Sequence, residues 1–225
     1  MEPVFAATVD DVHRAGGRLR LLNLHVPRSV RQSFTKAGQY LQVQFDDQRA
    51  LWALATAPHE DDVQVLLRDT PAALTWLQAN PTPELKVSAL QGPGFPLQLI
   101  GDRPLLLVAT GSGLGPIRSV IRHLLHDRPE VLQRTTLVYG VMTPDDLVLQ
   151  SEFEDWQRKG LKLHTLVSEE NVPWAGERGW VQQALQRMPV GQHVAFLCGQ
   201  SEMIADVRVV LTRAGVAETD IHLNF

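Results

Sequence analysis

The sequence has a single cysteine, Cys198, among 225 residues. No internal disulfide can form, and the chain holds no four-cysteine set for an iron–sulfur cluster. Positive charge is also scarce. The 21 lysines and arginines are outnumbered by 25 acidic residues, leaving −4 at pH 7, which argues against nucleic acid as the main partner. No apolar run approaches the roughly 20 residues of a membrane span. Met1-Glu2-Pro3-Val4-Phe5 lacks the basic start and apolar core of a secretory signal, so a cytoplasmic location is expected. The eight histidines show no metal spacing. His123 and His126 lie three apart on an expected helix with no carboxylate or further ligand suitably placed, so they are expected on the surface and no metal site is expected. Ser112 has no nucleophile-elbow context, and no triad or carboxylate pair is evident, which disfavours a hydrolase.

The residues that are present fall into two textures. Hydrophobic content of 44% is ordinary for a globular chain, and the length suits one large domain or two smaller ones. Up to about Leu97, short strands are expected over Phe5 to Val9, Leu19 to Leu24, Tyr40 to Phe45, Leu51 to Ala55, Val63 to Leu67 and Leu85 to Ser88. Polar, glycine or proline turns separate them, and one helix interrupts near Pro71 to Gln78, a pattern that suggests an antiparallel barrel or sandwich. From Gly101 onward, strands alternate with helices: Leu105 to Ala109 with Ile117 to His126, Thr135 to Tyr139 with Leu147 to Lys159, Leu161 to Val167 with Trp180 to Arg187, and Val194 to Leu197 with Glu202 to Ala214. Such alternation implies a parallel sheet covered by helices. The expected architecture is therefore an antiparallel β-barrel over residues 1–100 followed by an α/β nucleotide-binding domain over 101–225, divided where Gly101-Asp102-Arg103-Pro104 breaks the pattern.

The most informative stretch runs from Leu105 to Pro116 and on into Leu125. Five apolar residues read as a strand buried on both faces. Gly111, Gly113 and Gly115 then allow a tight turn that can approach a ligand closely. Pro116 suits the first turn of the following helix, whose free N–H groups attract a diphosphate. The pattern is Gly-x-Gly-x-x-Pro rather than the commoner Gly-x-Gly-x-x-Gly. Cys198 ends the apolar run Val194-Ala195-Phe196-Leu197, at the carboxyl end of an expected parallel strand, where open α/β sheets bind ligands.

Taken in order, these pieces resemble the ferredoxin–NADP reductase superfamily, in particular its small NAD(P)H-dependent, FAD-binding oxidoreductases. Phe34 to Leu41 is similar to the family's Pro-Gly-Gln-aromatic strand start, and Thr75-Trp76-Leu77 to the helix between its fifth and sixth barrel strands. Gly92, Pro93, Gly94 and Phe95 resemble its second flavin loop. Thr110 to Pro116, Tyr139-Gly140, Trp174 to Val181 and Cys198-Gly199-Gln200-Ser201-Glu202-Met203 resemble nucleotide-domain segments. The resemblance implies FAD as cofactor and NAD(P)H as substrate. It implies a hydride passing from nicotinamide C4 to flavin N5, and electrons then passing to an acceptor, a small molecule or a redox protein. It places Cys198 beside the nicotinamide and Phe225, the last residue, on the flavin ring, as the two residues of the catalytic step. Gly140, Ser168, Gly199, Gln200 and Met203 join the nucleotide side.

The flavin motif departs from the family. Aligned on Pro58, the expected Arg-x-Tyr-Ser reads Ala50-Leu51-Trp52-Ala53. Trp52 can cover an aromatic ring, while Ala53, Leu54 and Thr56 occupy the remaining flavin positions. Arg49 is one residue off, and a one-residue shift turns a strand side chain to the other face unless a bulge intervenes. Arg68 is the candidate replacement cation. Trp52, Trp76 and Trp180 also have core roles open to them. The acidic stretches Val141 to Asp146 and Ser168-Glu169-Glu170 lean toward NADH over NADPH. Two alternatives stand beside the oxidoreductase: a regulatory nucleotide-binding module that has lost stable flavin, and an electron-transfer subunit of a larger complex.

Overall fold

A computed structural model describes residues 3–80 and 83–225, with no account of the side chains of residues 71–74. Two six-stranded sheets lie one after the other along the chain. The first contains β1 (Phe5–Gly16), β2 (Leu19–His25), β3 (Tyr40–Phe45), β4 (Gln48–Ala53), β5 (Val63–Arg68) and β6 (Glu84–Val87), ordered β4-β3-β6-β1-β2-β5. Every pairing in it is antiparallel. The two outer strands meet through a Leu54–Val65 bridge and the Ala55 N–H donating to Gln64 O, so the sheet closes into a barrel. Closure removes the free edges that would otherwise invite aggregation. Leu22, Leu41, Val43, Trp52, Leu54, Val65, Trp76 and Val87 fill its interior.

The second sheet is all parallel and ordered β10-β9-β8-β7-β11-β12. Its strands are β7 (Leu105–Thr110), β8 (Thr135–Val141), β9 (Lys162–Val167), β10 (Glu177–Arg178), β11 (Val194–Cys198) and β12 (Ile221–Leu223). Among its helices, α3 (Leu114–Asp127) and α4 (Gln150–Arg158) cover one face, and α5 (Val181–Leu185) and α6 (Ser201–Arg213) the other. Strand β7 serves both faces. Leu105, Leu107 and Ala109 pack under α3, whereas Leu106 and Val108 pack toward α6, which explains its unbroken apolar run. The chain passes from β7 to β8 on one side and returns to β11 on the other. This leaves a crevice at the carboxyl ends of β7 and β11, the place where such sheets bind ligands.

Several boundaries differ from the sequence reading. Strand β1 runs on to Gly16, because its polar second half is paired by β2 across two irregularities. A short helix α1 (Arg28–Gln32) precedes β3, besides the expected helix α2 (Pro71–Ala79). Helix α4 starts at Gln150 rather than Leu147, because Leu149 sits in the left-handed region with φ 58°. Among the described residues no helix is long and apolar enough to cross a membrane.

The two units share a core. Phe95, from the barrel's last loop, stacks on Phe196 of β11 with ring centroids 4.9 Å apart. Arg118 of α3 is 3% exposed and binds the Glu152 carboxylate through Nε and Nη2, while Nη1 donates to Ala55 O at 2.9 Å and to Gln64 Oε1 at 2.8 Å. One buried guanidinium thus ties α3 to α4 and to the barrel. Arg122 binds Glu60 beside it. The surface histidines are more clustered than their spacing suggested. The Asp127 carboxylate contacts both His123 and His126, and the His59 ring stacks on His126 at 4.0 Å. Even so, no metal-binding group of His, Cys, Asp or Glu exists among the described residues.

Candidate functional site

A cleft of about 780 Å³ opens between the outer wall of the barrel and the carboxyl ends of β7, β8 and β11. The nucleotide side begins at the turn after β7. Gly111 takes φ +53°, a left-handed conformation that favours glycine. Gly113 answers a different need. A Cβ there would lie 2.3 Å from the Cys198 carbonyl oxygen, so only a glycine lets the turn rest on the end of β11. The Tyr139 hydroxyl donates to Gly111 O at 3.2 Å, and burial raises its pKa, so the phenol stays protonated and holds the turn. Thr110, Gly111, Ser112, Gly113 and Pro116 all line the cleft, with Gly140 of β8 and Ser168 just beyond β9.

Cys198, Gly199, Gln200 and Met203 form the facing wall. A Cβ on Gly199 would meet Thr110 Oγ1 at 2.2 Å and Met203 Cε at 2.5 Å, so this wall is moulded closely around its neighbours. Burial pushes the Cys198 thiol up to about 12. It is a neutral thiol at pH 7, not a nucleophile. Phe225 lines the cleft and is 62% exposed. Asn224 beside it is almost wholly buried.

The barrel side is mostly apolar: Tyr40, Leu51, Ala53, Leu66 and Leu67, with Arg68 as its cation. The Arg68 guanidinium lies near Gly111 and makes no hydrogen bond or ion pair among the described residues. Strand β4 corrects the sequence reading. It pairs with β3 without a bulge, Val43 opposite Ala50 and Leu41 opposite Trp52. Ala50, Trp52 and Leu54 therefore face the barrel interior, and Leu51 and Ala53 face the cleft. Arg49 shares the parity of Leu51 and Ala53, so it stands on the cleft-facing side of the strand and Ala50 does not. Trp52 packs on Phe45 instead of covering a ring in the cleft.

Other expected site residues also lie outside the cleft, for identifiable reasons. Leu54 is core, and the Thr56 hydroxyl accepts the Gln64 N–H. Gly92 packs on the Tyr40 ring, Gly94 on Lys36 and Ala37, and Gly115 on Leu66 and Ala55. Phe95 is spent on the stack with Phe196, and Pro93 is exposed on the same loop. Trp180, given a core role as one option, is exposed and lines the cleft. Of the acidic stretches, Val141, Met142 and Ser168 reach the cleft. Asp146 is instead buried beneath the β1–β2 turn, accepting from the Arg18 N–H and the Thr143 hydroxyl. Tyr40, Leu51, Leu66, Leu67, Gln182, Glu202, Asp206 and Asn224 line the cleft without having been singled out. Leu51 is placed there by the pairing of β4 with β3.

Three residues lining this cleft, Thr110, Gln182 and Asn224, each carry a buried side-chain oxygen with no hydrogen-bond partner among the described residues. Buried polar atoms are seldom left unpaired, and the convergence of three such oxygens on one cleft fits a site that receives a polar occupant. An antiparallel barrel against a parallel sheet, with a glycine-rich turn at the switch point between them, defines a two-unit nucleotide-binding fold. Residues 107–209 match the oxidoreductase NAD-binding domain family. The chain is similar over its length to ferredoxin reductase-type oxidoreductases. It is 28% identical, over 98% of its length and 67% of the relative's, to reductase component 1 of a terephthalate 1,2-dioxygenase from Comamonas. It is 23% identical, over 95% and 66%, to CDP-6-deoxy-L-threo-D-glycero-4-hexulose-3-dehydrase reductase of Yersinia pseudotuberculosis. The chain spans about two thirds of the length of these curated relatives. Among solved structures, an Amycolatopsis cytochrome P450 reductase superposes with a TM-score of 0.85 at 22% identity, covering all of this chain and 70% of that one. A Neisseria gonorrhoeae ferredoxin NADP+ reductase with bound FAD and NADP superposes with a TM-score of 0.78 at 18% identity, covering 99% of each chain. The superfamily resemblance drawn from the motifs is borne out.

Proposed function

We propose that the chain is an NAD(P)H-dependent flavin oxidoreductase, with residues 1–100 holding FAD and residues 101–225 the nicotinamide nucleotide. The observation that carries this reading is the cleft itself. An apolar barrel wall faces a glycine-rich turn, and three residues between them carry unpartnered buried oxygens. Thr110 to Pro116 receive the nucleotide diphosphate on backbone N–H groups, with Arg68 opposite. Leu51, Ala53 and Tyr40 form the flavin wall, and Phe225 covers the site until the nicotinamide enters. Cys198 contributes shape and a neutral surface beside the nicotinamide. When bound, the two cofactors supply the hydride chemistry between them, and the protein supplies orientation and exclusion of water. The acceptor is a small molecule or a redox protein. The names of the Comamonas and Yersinia relatives favour a partner enzyme component.

Two further assignments follow. Arg49 is the counter-charge for the flavin diphosphate, because it is the cation on the outer face of β4. Arg49→Ala is expected to weaken FAD binding about tenfold in a fluorescence-quenching titration while leaving NAD+ affinity unchanged. Equal FAD affinity in the variant would remove Arg49 from the site. NADH is the preferred reductant. Arg178, beside the Ser168-Glu169-Glu170 stretch, is engaged by the backbone carbonyls of Glu169, Glu170, Val172 and Trp174, and the loop around it is acidic. The lean to NADH therefore rests on the acidic character of these stretches, with Arg18, whose Nη2 lies 3.8 Å from Met142 Sδ, as a cation placed to oppose it. Steady-state reduction of added FAD is expected to favour NADH over NADPH on the order of tenfold in kcat/KM. A preference for NADPH would refute this assignment.

A further inference from the structure

Asn224 is the most constrained residue of the C-terminal segment. It is 1% exposed, and its Nδ2 donates to Gly38 O at 2.9 Å across 186 positions of sequence. That bond fixes which end of the amide is which, since Gly38 O can only accept. Its Oδ1 is left buried, at the cleft, with no partner. The barrel is shaped around it. A Cβ on Gly38 would lie 3.1 Å from the Asn224 Cβ, and one on Gly92 would lie 3.2 Å from the Asn224 carbonyl oxygen. Gln39 braces the same two loops, its Oε1 accepting from the Thr35 and Lys36 N–H groups and its Nε2 donating to Gly92 O. A mere anchor for the chain end would need only the Nδ2 bond. An orphaned acceptor on a cleft-lining residue can take a donor from the occupant, and an unpaired buried carbonyl is otherwise unfavourable.

We propose that Asn224 Oδ1 is the specificity-determining acceptor for an amide-type N–H of the redox ring bound in the cleft. This rests on the function proposed above. Two ring systems there carry such a donor: the flavin, at its N3 imide, and the nicotinamide, at its carboxamide. Each has an analogue in which a methyl group replaces the donor hydrogen or amine: N3-methyl-FAD and 3-acetylpyridine adenine dinucleotide. The test measures dissociation constants of FAD, NAD+ and both analogues by fluorescence and calorimetry, for the wild-type chain, Asn224→Leu and Asn224→Asp.

The wild type is expected to bind one parent ligand about tenfold more tightly than its methylated analogue. The affected pair identifies the ring. Asn224→Leu is expected to bind parent and analogue equally, while Asn224→Asp, which lacks the donor to Gly38 O, is expected to weaken parent and analogue together by freeing the segment. A purely structural role would have Asn224→Leu weaken parent and analogue alike and leave their ratio unchanged, which overturns the proposal. Absence of discrimination in the wild type overturns it even if the leucine variant fails to fold. A wild type that binds FAD and NAD+ but shows either of these results defeats this inference alone. A wild type that binds neither parent defeats the proposed function with it.

Discussion

Gly113→Ala is expected to cost the fold about 1–3 kcal/mol and to abolish tight nucleotide binding. The added methyl would sit 2.3 Å from the Cys198 carbonyl oxygen, 2.6 Å from its carbon and 2.9 Å from the Gly199 nitrogen. All three are backbone atoms at the end of β11, a strand paired on both sides by β7 and β12, so no flexible side chain can yield. Either the turn lifts from the sheet, displacing the N–H groups of the diphosphate site, or β11 distorts beneath the nicotinamide. Thermal denaturation should show a fall of several degrees, since each kcal/mol is worth roughly 2–4 °C in a chain of this size. Gly111→Ala provides the contrast. Its Cβ meets only the Arg68 Nη2 at 3.4 Å, so the penalty there is the left-handed backbone, about 1 kcal/mol. If Gly113→Ala proves as mild as Gly111→Ala, the close seating of the turn on β11 is wrong.

Arg118→Met is expected to have the second large effect. It removes a buried cation whose donors are divided among Glu152, Ala55 O and Gln64 Oε1. Truncating one member of a buried ionic network leaves the others uncompensated. The Glu152 side chain keeps 24% exposure and lies 3.8 Å from Arg122 Nη1, so water and that cation relieve part of the cost, and a loss of about 3 kcal/mol is expected, at the lower end for such pairs. The consequence for function is geometric. Arg118 links the helix that follows the diphosphate turn to the barrel loop that follows β4, so its loss loosens the flavin wall against the nucleotide wall. Denaturant titration should show the loss, and hydrogen exchange should show early opening of residues 55–64. The double variant Arg118→Met/Glu152→Met should recover part of the stability, because it also removes a carboxylate left with only the longer Arg122 contact. No recovery would mean that the bonds to the barrel loop, not the ion pair, carry the effect.

How much of this was legible beforehand follows from where the signal is local. The β7–turn–α3 unit reads directly from sequence. A strand buried on both faces must be continuously apolar, and its turn needs glycine for backbone reasons. The parity of β4 did not read correctly, because Leu51, Trp52, Ala53, Leu54 and Ala55 are all apolar and give no alternation to separate inside from outside. Alignment on Pro58 then assigned the faces the wrong way, and only the pairing with β3 settles them. The second half of β1 is polar because it forms a solvent-facing hairpin, so it carried no strand signal. Arg118 looked like a polar residue on an amphipathic helix, and its burial arises from the barrel loop folding over it. Asn224 is a lone polar residue near the chain end with no periodic context. Its role becomes visible only when Gly38, distant by most of the sequence, lies against it.

The central claim is a flavin and a nicotinamide meeting in one cleft, and the absorption spectrum of the FAD-loaded protein under anaerobic conditions, before and after NADH, tests it most directly. The account predicts that the protein retains FAD, that NADH bleaches the visible flavin bands, and that Gly113→Ala prevents the bleaching. A protein that retains no FAD, or whose bound flavin NADH leaves oxidised, would contradict it.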